Sequence, residues 1–104
     1  MFILLYRWRI KPQHDQQFIE SWTERTVFYR EHYNSLGSRL HRGSDGIWYG
    51  YAQWKSAEQR DSAFQAESGK VSALRPIFQA AIQEEFPEIT LEIASDYLVL
   101  PKAK

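Results

Sequence analysis

The chain has 104 residues, enough for one domain and too few for two. It contains no cysteine, which excludes disulfides, zinc–thiolate sites and thiol nucleophiles. Thirteen basic residues balance thirteen acidic ones, so no net charge draws it toward nucleic acid or an anionic membrane surface. The apolar opening Met1–Tyr6 is broken by Arg7 and Arg9 before it reaches the roughly 7–15 residues of a signal-peptide core. No run approaches the roughly 20 apolar residues of a membrane span, and a cytoplasmic location is the expectation. Four Trp, six Tyr and six Phe are many for so small an interior. Some are therefore expected at a pocket or a subunit interface.

Residues 2–10 read as a strand, with Phe2, Leu4, Tyr6, Trp8 and Ile10 on one face by period two. Ile3 and Leu5 load the other face, which predicts a central strand covered on both sides. A helix is expected from about His14 to Tyr33. Phe18, Ile19, Trp22, Thr26, Tyr29 and Tyr33 form its apolar stripe, while Glu20, Glu24, Glu31, Val27 and Phe28 lie off it. Residues 35–42 and 47–54 flank Gly43-Ser44-Asp45-Gly46, a hairpin signal. Ser56 and Gln59 fit a reciprocal capping box that opens a helix over about 57–66. A break near Gly69 precedes a second helical piece from about Ala73 to Glu85, with Leu74, Phe78, Ala81 and Ile82 on one face. Pro76 belongs in its first turn and Phe86-Pro87 closes it. A last strand is expected over 88–100, alternating Ile89, Leu91 and Ile93.

The order β-α-β-β-α-β favours a ferredoxin-like sheet of strand order 4-1-3-2, with its helices on one face, over residues 1–100; 101–104 form a short tail. The opposite face carries Ile3, Leu5, Ile47, Tyr49, Tyr51 and residues of the last strand. A contiguous apolar patch of that kind predicts a homodimer with sheets face to face.

Leu36-Gly-Ser-Arg-Leu-His-Arg42, Asp45-Gly46, Tyr51-Ala-Gln-Trp-Lys-Ser56 and the opening Trp8-Arg-Ile-Lys-Pro12 resemble the antibiotic biosynthesis monooxygenase family. The resemblance covers residues 2 to about 100 and implies a dimeric α+β barrel. It also implies oxygenation of an aromatic or quinol-like small molecule by O₂, with no cofactor: neither metal nor flavin. In the quinone-forming branch, the implied catalytic residues fall on Trp54 and Arg75, with His41 matching a second-strand histidine. An asparagine of that branch falls on Gly50, and a tyrosine on Arg60. A heme-degrading branch uses an Asn in the first strand and a His in the second helix. Here the sole Asn is Asn34 and no His follows His41, so the resemblance does not extend to heme.

Chemically, such an oxygenase needs a substrate that is itself the electron donor, as a phenolate or enolate. A fixed cation such as Arg75 would stabilise that anion, Trp54 would offer a stacking face, and His41 a proton acceptor. Each has a plainer reading: Trp54 as packing, Arg75 as the partner of a nearby Glu, His41 as an exposed edge-strand residue. The alternative function is a non-catalytic dimer of the same fold that binds a small molecule. The same topology serves RNA-recognition domains, but the zero net charge and Asp45, where such a motif needs a basic residue, argue against RNA.

Overall fold

A computed structural model describes residues 1–66 and 69–99. Seven elements follow in chain order: β1 (Phe2–Ile10), α1 (Asp15–His32), β2 (Gly37–Arg42), β3 (Trp48–Trp54), α2 (Ala57–Ala66), α3 (Gly69–Ala80) and β4 (Ile82–Leu91). The four strands form one antiparallel sheet in the order β2-β3-β1-β4, which is 4-1-3-2 read in reverse. The ferredoxin-like architecture expected from the sequence is the one observed.

Pairing across the sheet sorts the side chains into two faces. Rows Ser38–Ala52–Leu4–Thr90 and Arg42–Trp48–Trp8–Glu85 lie on the helix face. Rows Arg39–Tyr51–Leu5–Ile89 and His41–Tyr49–Arg7–Phe86 lie on the outer face. The core under the helices divides into two clusters. Leu4, Tyr29, Trp54, Ala63 and Val71 make one, and Trp8, Phe18, Trp48, Phe78 and Ala81 the other.

Local chemistry explains the turns. Gly46 holds φ at +83° in the β2–β3 hairpin, and the Asp45 carboxylate accepts the Ile47 N–H at 3.0 Å. Asn34 adopts the left-handed region (φ 60°) just beyond α1, a conformation Asn tolerates. The Tyr33 and Ser35 N–H groups then both donate to the Tyr29 carbonyl, which turns the chain back and buries Ser35. Ser56 caps α2 by accepting the Gln59 N–H at 3.1 Å. Only half of the expected capping box forms, because the Gln59 side chain donates instead to the Tyr33 carbonyl at the end of α1.

The C-terminal third differs from the sequence expectation. The second helical piece runs 69–80 rather than 73–85, since Val71, Leu74 and Phe78 make its buried stripe. Pro76 is therefore inside α3 rather than in its first turn. Ala81 turns the chain: its N–H donates to Phe78 and its carbonyl accepts from Lys11. The last strand begins at Ile82, not 88, and ends at Leu91. Phe86-Pro87 closes no helix and sits within this strand. Pairing with β1 overrides the helical pattern: the Glu84 carboxylate lies 3.5 Å from Arg9, and the Arg7 and Arg9 guanidinium groups lie 5.6 and 6.0 Å from the Phe86 ring. Pro87 is tolerated because β4 is an edge strand with a bulge at that point, between the pairs Arg7–Phe86 and Leu5–Ile89. Residues 92–99 are exposed and outside any strand. The expected strand residue Leu100 and the tail 101–104 lie outside the described residues. No helix among the described residues is long and apolar enough to cross a membrane.

Candidate functional site

A cavity of about 160 Å³ lies between the helix face of the sheet and the helices. Its floor is Tyr6 and Trp8 of β1 with Gly50, Ala52 and Trp54 of β3. Trp22, Arg25 and Tyr29 of α1 cover it, and Phe64 of α2 and Phe78 of α3 close the sides. The walls are mutually braced rings. Trp54 meets Tyr29 and Phe64 edge-on at 6.1 and 6.2 Å between centroids. Trp8 stacks on Tyr6 at 5.9 Å and meets Phe78 at 6.0 Å. Edge-to-face and offset pairs of this kind fix ring orientation as well as adding stability.

Gly50 is what admits the Trp8 indole. A Cβ at position 50 would stand 2.8 and 2.9 Å from Cη2 and Cζ3 of that ring, well inside contact distance. The amide that the family resemblance implies at this position is thus replaced by the indole of the neighbouring strand.

Arg25, Thr26, Ser35, Ser38, Gln79 and Glu85 add polar groups to the wall beside the rings. The Arg25 guanidinium lies 4.4 Å over the Phe78 ring. Its Nε, like Trp8 Nε1, is buried with no acceptor among the described residues. The Tyr6 hydroxyl accepts a hydrogen bond from Arg60 Nη1 at 3.0 Å. Burial pushes the Tyr6 phenol above its usual pKa, against the opposing pull of the Arg60 charge. Arg60 also forms a paired contact with both Glu88 oxygens at 3.1 Å and donates to Asp61 at 2.8 Å. It thereby ties α2 to β4 beside the cavity. This is the position where the resemblance implies a tyrosine.

Of the residues expected at the site, Trp54 is on the cavity wall and 3% exposed. Arg75 and His41 do not line it. Arg75 lies on the exposed side of α3. His41 is exposed on edge strand β2, paired with Tyr49 on the outer-face register, and borders a separate shallow groove. The cation on the wall is instead Arg25, which sequence reasoning missed. Its signal was present: Arg25 stands one turn from Trp22 and Tyr29, at the edge of the stripe that buries the helix. Among the described residues no group of three or more His, Cys, Asp or Glu is placed to hold a metal ion.

These features define a ferredoxin-like α+β domain with an aromatic cavity between sheet and helices. Solved structures share the fold. An antibiotic biosynthesis monooxygenase is 14% identical, with a TM-score of 0.73 over 91% of this chain and 100% of its own. A protein assigned as an antibiotic biosynthesis monooxygenase, from Bordetella bronchiseptica, is 11% identical, with a TM-score of 0.75 over 90% and 97%. A NIPSNAP domain protein from Burkholderia xenovorans is 13% identical, with a TM-score of 0.69 over 91% and 96%. No family model matches the chain, and no curated protein is significantly similar to it.

Proposed function

We propose that this protein is a cytoplasmic homodimer that binds an aromatic or quinol-like small molecule in the sheet–helix cavity and oxygenates it with O₂, without metal or flavin. The observation that carries the reading is a partly open cavity lined by aromatic rings, Trp54 included, with the Arg25 guanidinium on its wall. A bound phenol or enol that loses its proton becomes an electron donor to O₂, and the charge of the partly buried Arg25 favours that anion. Conversion of a ring methylene to a carbonyl consumes one O₂ and releases one water, the electrons coming from the substrate. Trp54 supplies a face for the ring. The outer sheet face, where Ile89 and Leu91 are 38% and 37% exposed, supports pairing with a second copy.

A second reading, binding without turnover, is favoured by Gly50 and Arg60. They replace the two polar groups implied by the resemblance with an indole and a structural ion pair. Oxygen uptake separates the two. Stoichiometric O₂ consumption with a hydroquinone or anthrone, lost in Trp54→Phe, supports the oxygenase. Saturable binding of the same compounds with O₂ uptake no faster than buffer supports the binder.

A further inference from the structure

We propose that the cavity is built for a single-ring aromatic bearing an anionic oxygen, and that Arg25 and Trp8 together recognise that oxygen. The inference rests on the reading that the cavity takes an aromatic ligand, and narrows it in size and charge.

Size is the first observation. The cavity encloses about 160 Å³, and an apolar protein cavity of roughly 150 Å³ takes up benzene. One ring with a small substituent fills that space; the further rings of a fused system would have to extend through the cavity's open side.

Donor chemistry is the second, and it is independent of the first. Trp8 Nε1 and Arg25 Nε are both buried, both residues line the cavity, and neither atom has an acceptor among the described residues. Buried N–H groups almost always have one. An indole nitrogen can only donate, and a guanidinium donates without ever giving up its charge. What both atoms call for is an acceptor, and beside a fixed cation a charged acceptor gains most. Both side chains pack on Phe78: the Arg25 guanidinium lies 4.4 Å over its ring and Trp8 stands nearly perpendicular to it at 6.0 Å between centroids. Stacking on Phe78 also fixes the guanidinium before any ligand arrives, which lowers the ordering cost of binding. Elsewhere on the wall Trp54, Tyr29 and Phe64 offer ring surfaces to the apolar body of the ligand. Glu85, the one carboxylate among the described lining residues, is exposed, so water screens it from an anion held at the buried nitrogens.

The test is calorimetric titration of the full-length protein in slightly alkaline buffer with benzoate, its neutral isostere benzamide, 4-nitrophenolate and anthrone. Benzoate is expected to bind about tenfold to a hundredfold more tightly than benzamide, as a charge-assisted contact implies. The tighter of benzoate and nitrophenolate identifies the charge as carboxylate or phenolate. That advantage over benzamide should fall to near unity in Arg25→Gln and largely survive in Arg25→Lys, with circular dichroism showing both variants folded. Trp8→Phe, which keeps a ring but removes the N–H, should weaken benzoate more than benzamide. Equal affinity for benzoate and benzamide, or an advantage that persists in Arg25→Gln, overturns the inference. Binding of anthrone but no single-ring compound overturns it too, while leaving the aromatic cavity standing. Binding of none of the four removes both.

Discussion

Placing a methyl group at position 50 tests the packing that shapes the cavity. In Gly50→Ala the new Cβ meets Cη2 and Cζ3 of Trp8 at 2.8 and 2.9 Å, nearly an ångström inside normal carbon–carbon contact. Rings brace the indole on three sides, with Phe18 at 5.1 Å, Phe78 at 6.0 Å and Tyr6 at 5.9 Å between centroids, so any shift would be into the cavity it lines. Overpacking of a fixed ring costs about 1–3 kcal/mol. In a domain of this size each kcal/mol moves Tm by about 4–8 °C, so a fall on the order of 10 °C is expected. Urea denaturation at one fixed protein concentration measures the same loss. Trp8→Phe removes both colliding atoms, and in that background Gly50→Ala should cost less than about 0.5 kcal/mol, giving a coupling of at least 1 kcal/mol in a double-mutant cycle. If Gly50→Ala costs the same in both backgrounds, or is neutral in the wild type, the indole does not depend on Gly50 and the account of the cavity floor is wrong. By the same geometry Gly50→Asn is a disruption of this site, not a simple return of an amide.

Other expectations follow from individual contacts. Arg60→Met should lower stability by about 1.5–3 kcal/mol in urea denaturation, because it strips a charged donor from Glu88 and the Tyr6 hydroxyl; Glu88→Gln should cost less, since the Tyr6 contact remains. Trp54→Ala should cost about 3–5 kcal/mol and leave little folded protein for binding assays, whereas Trp54→Phe should fold and lose affinity for aromatic ligands. Sedimentation should give twice the 12.3 kDa chain mass, and Ile89→Asp on the outer face should give the monomer; a wild-type monomer at micromolar concentration would count against the dimer. The hydrogen bond from the Tyr49 hydroxyl holds the Asp45 carboxyl below its ordinary pKa. A lowered carboxylate pKa adds stability above the ordinary range and loses it as pH falls through the lowered value. The stability gap between wild type and Asp45→Asn should therefore be present at neutral pH and close in acid, as followed by thermal melts across pH.

The first two thirds of the fold were legible because each element carried a single consistent pattern. Alternation set both faces of β1, a clean aromatic stripe set α1, and Gly46 with Asp45 set the hairpin. The last third was not, because Ile82–Phe86 carries two apolar residues spaced for a helix turn as well as for a strand. The deciding interaction is nonlocal: Arg7 and Arg9, some eighty residues earlier in sequence, wait opposite Glu84 and Phe86. The candidate site was half legible for a related reason. Trp54 and Arg75 came from the family resemblance alone, while the place of Arg25 depends on which helix crosses over the cavity. Arg25 sits on a helix whose charged residues otherwise read as solvated surface; its spacing from Trp22 and Tyr29 hints at an inward lean, and the Phe78 ring beneath it settles the matter.

The bulge at Pro87–Glu88, one of two register shifts along the β1–β4 pairing, separates stretches of β4 whose registers are fixed by different partners. Before it, Glu84 and Phe86 are locked by the arginines of β1; after it, Ile89 and Leu91 are locked opposite Leu5 and Ile3. The inserted residue also returns Glu88 toward the helices, where Arg60 takes it in both hands of its guanidinium. A single-residue deletion here would thus not simply shorten an edge strand. It would force one half to slip, sending either the hydrophobic pair inward or the acidic residue away from its arginine. Sequence length at this one position is accordingly a fixed quantity of the fold, and insertions or deletions among descendants of this chain should accumulate in the exposed segment 92–99 instead.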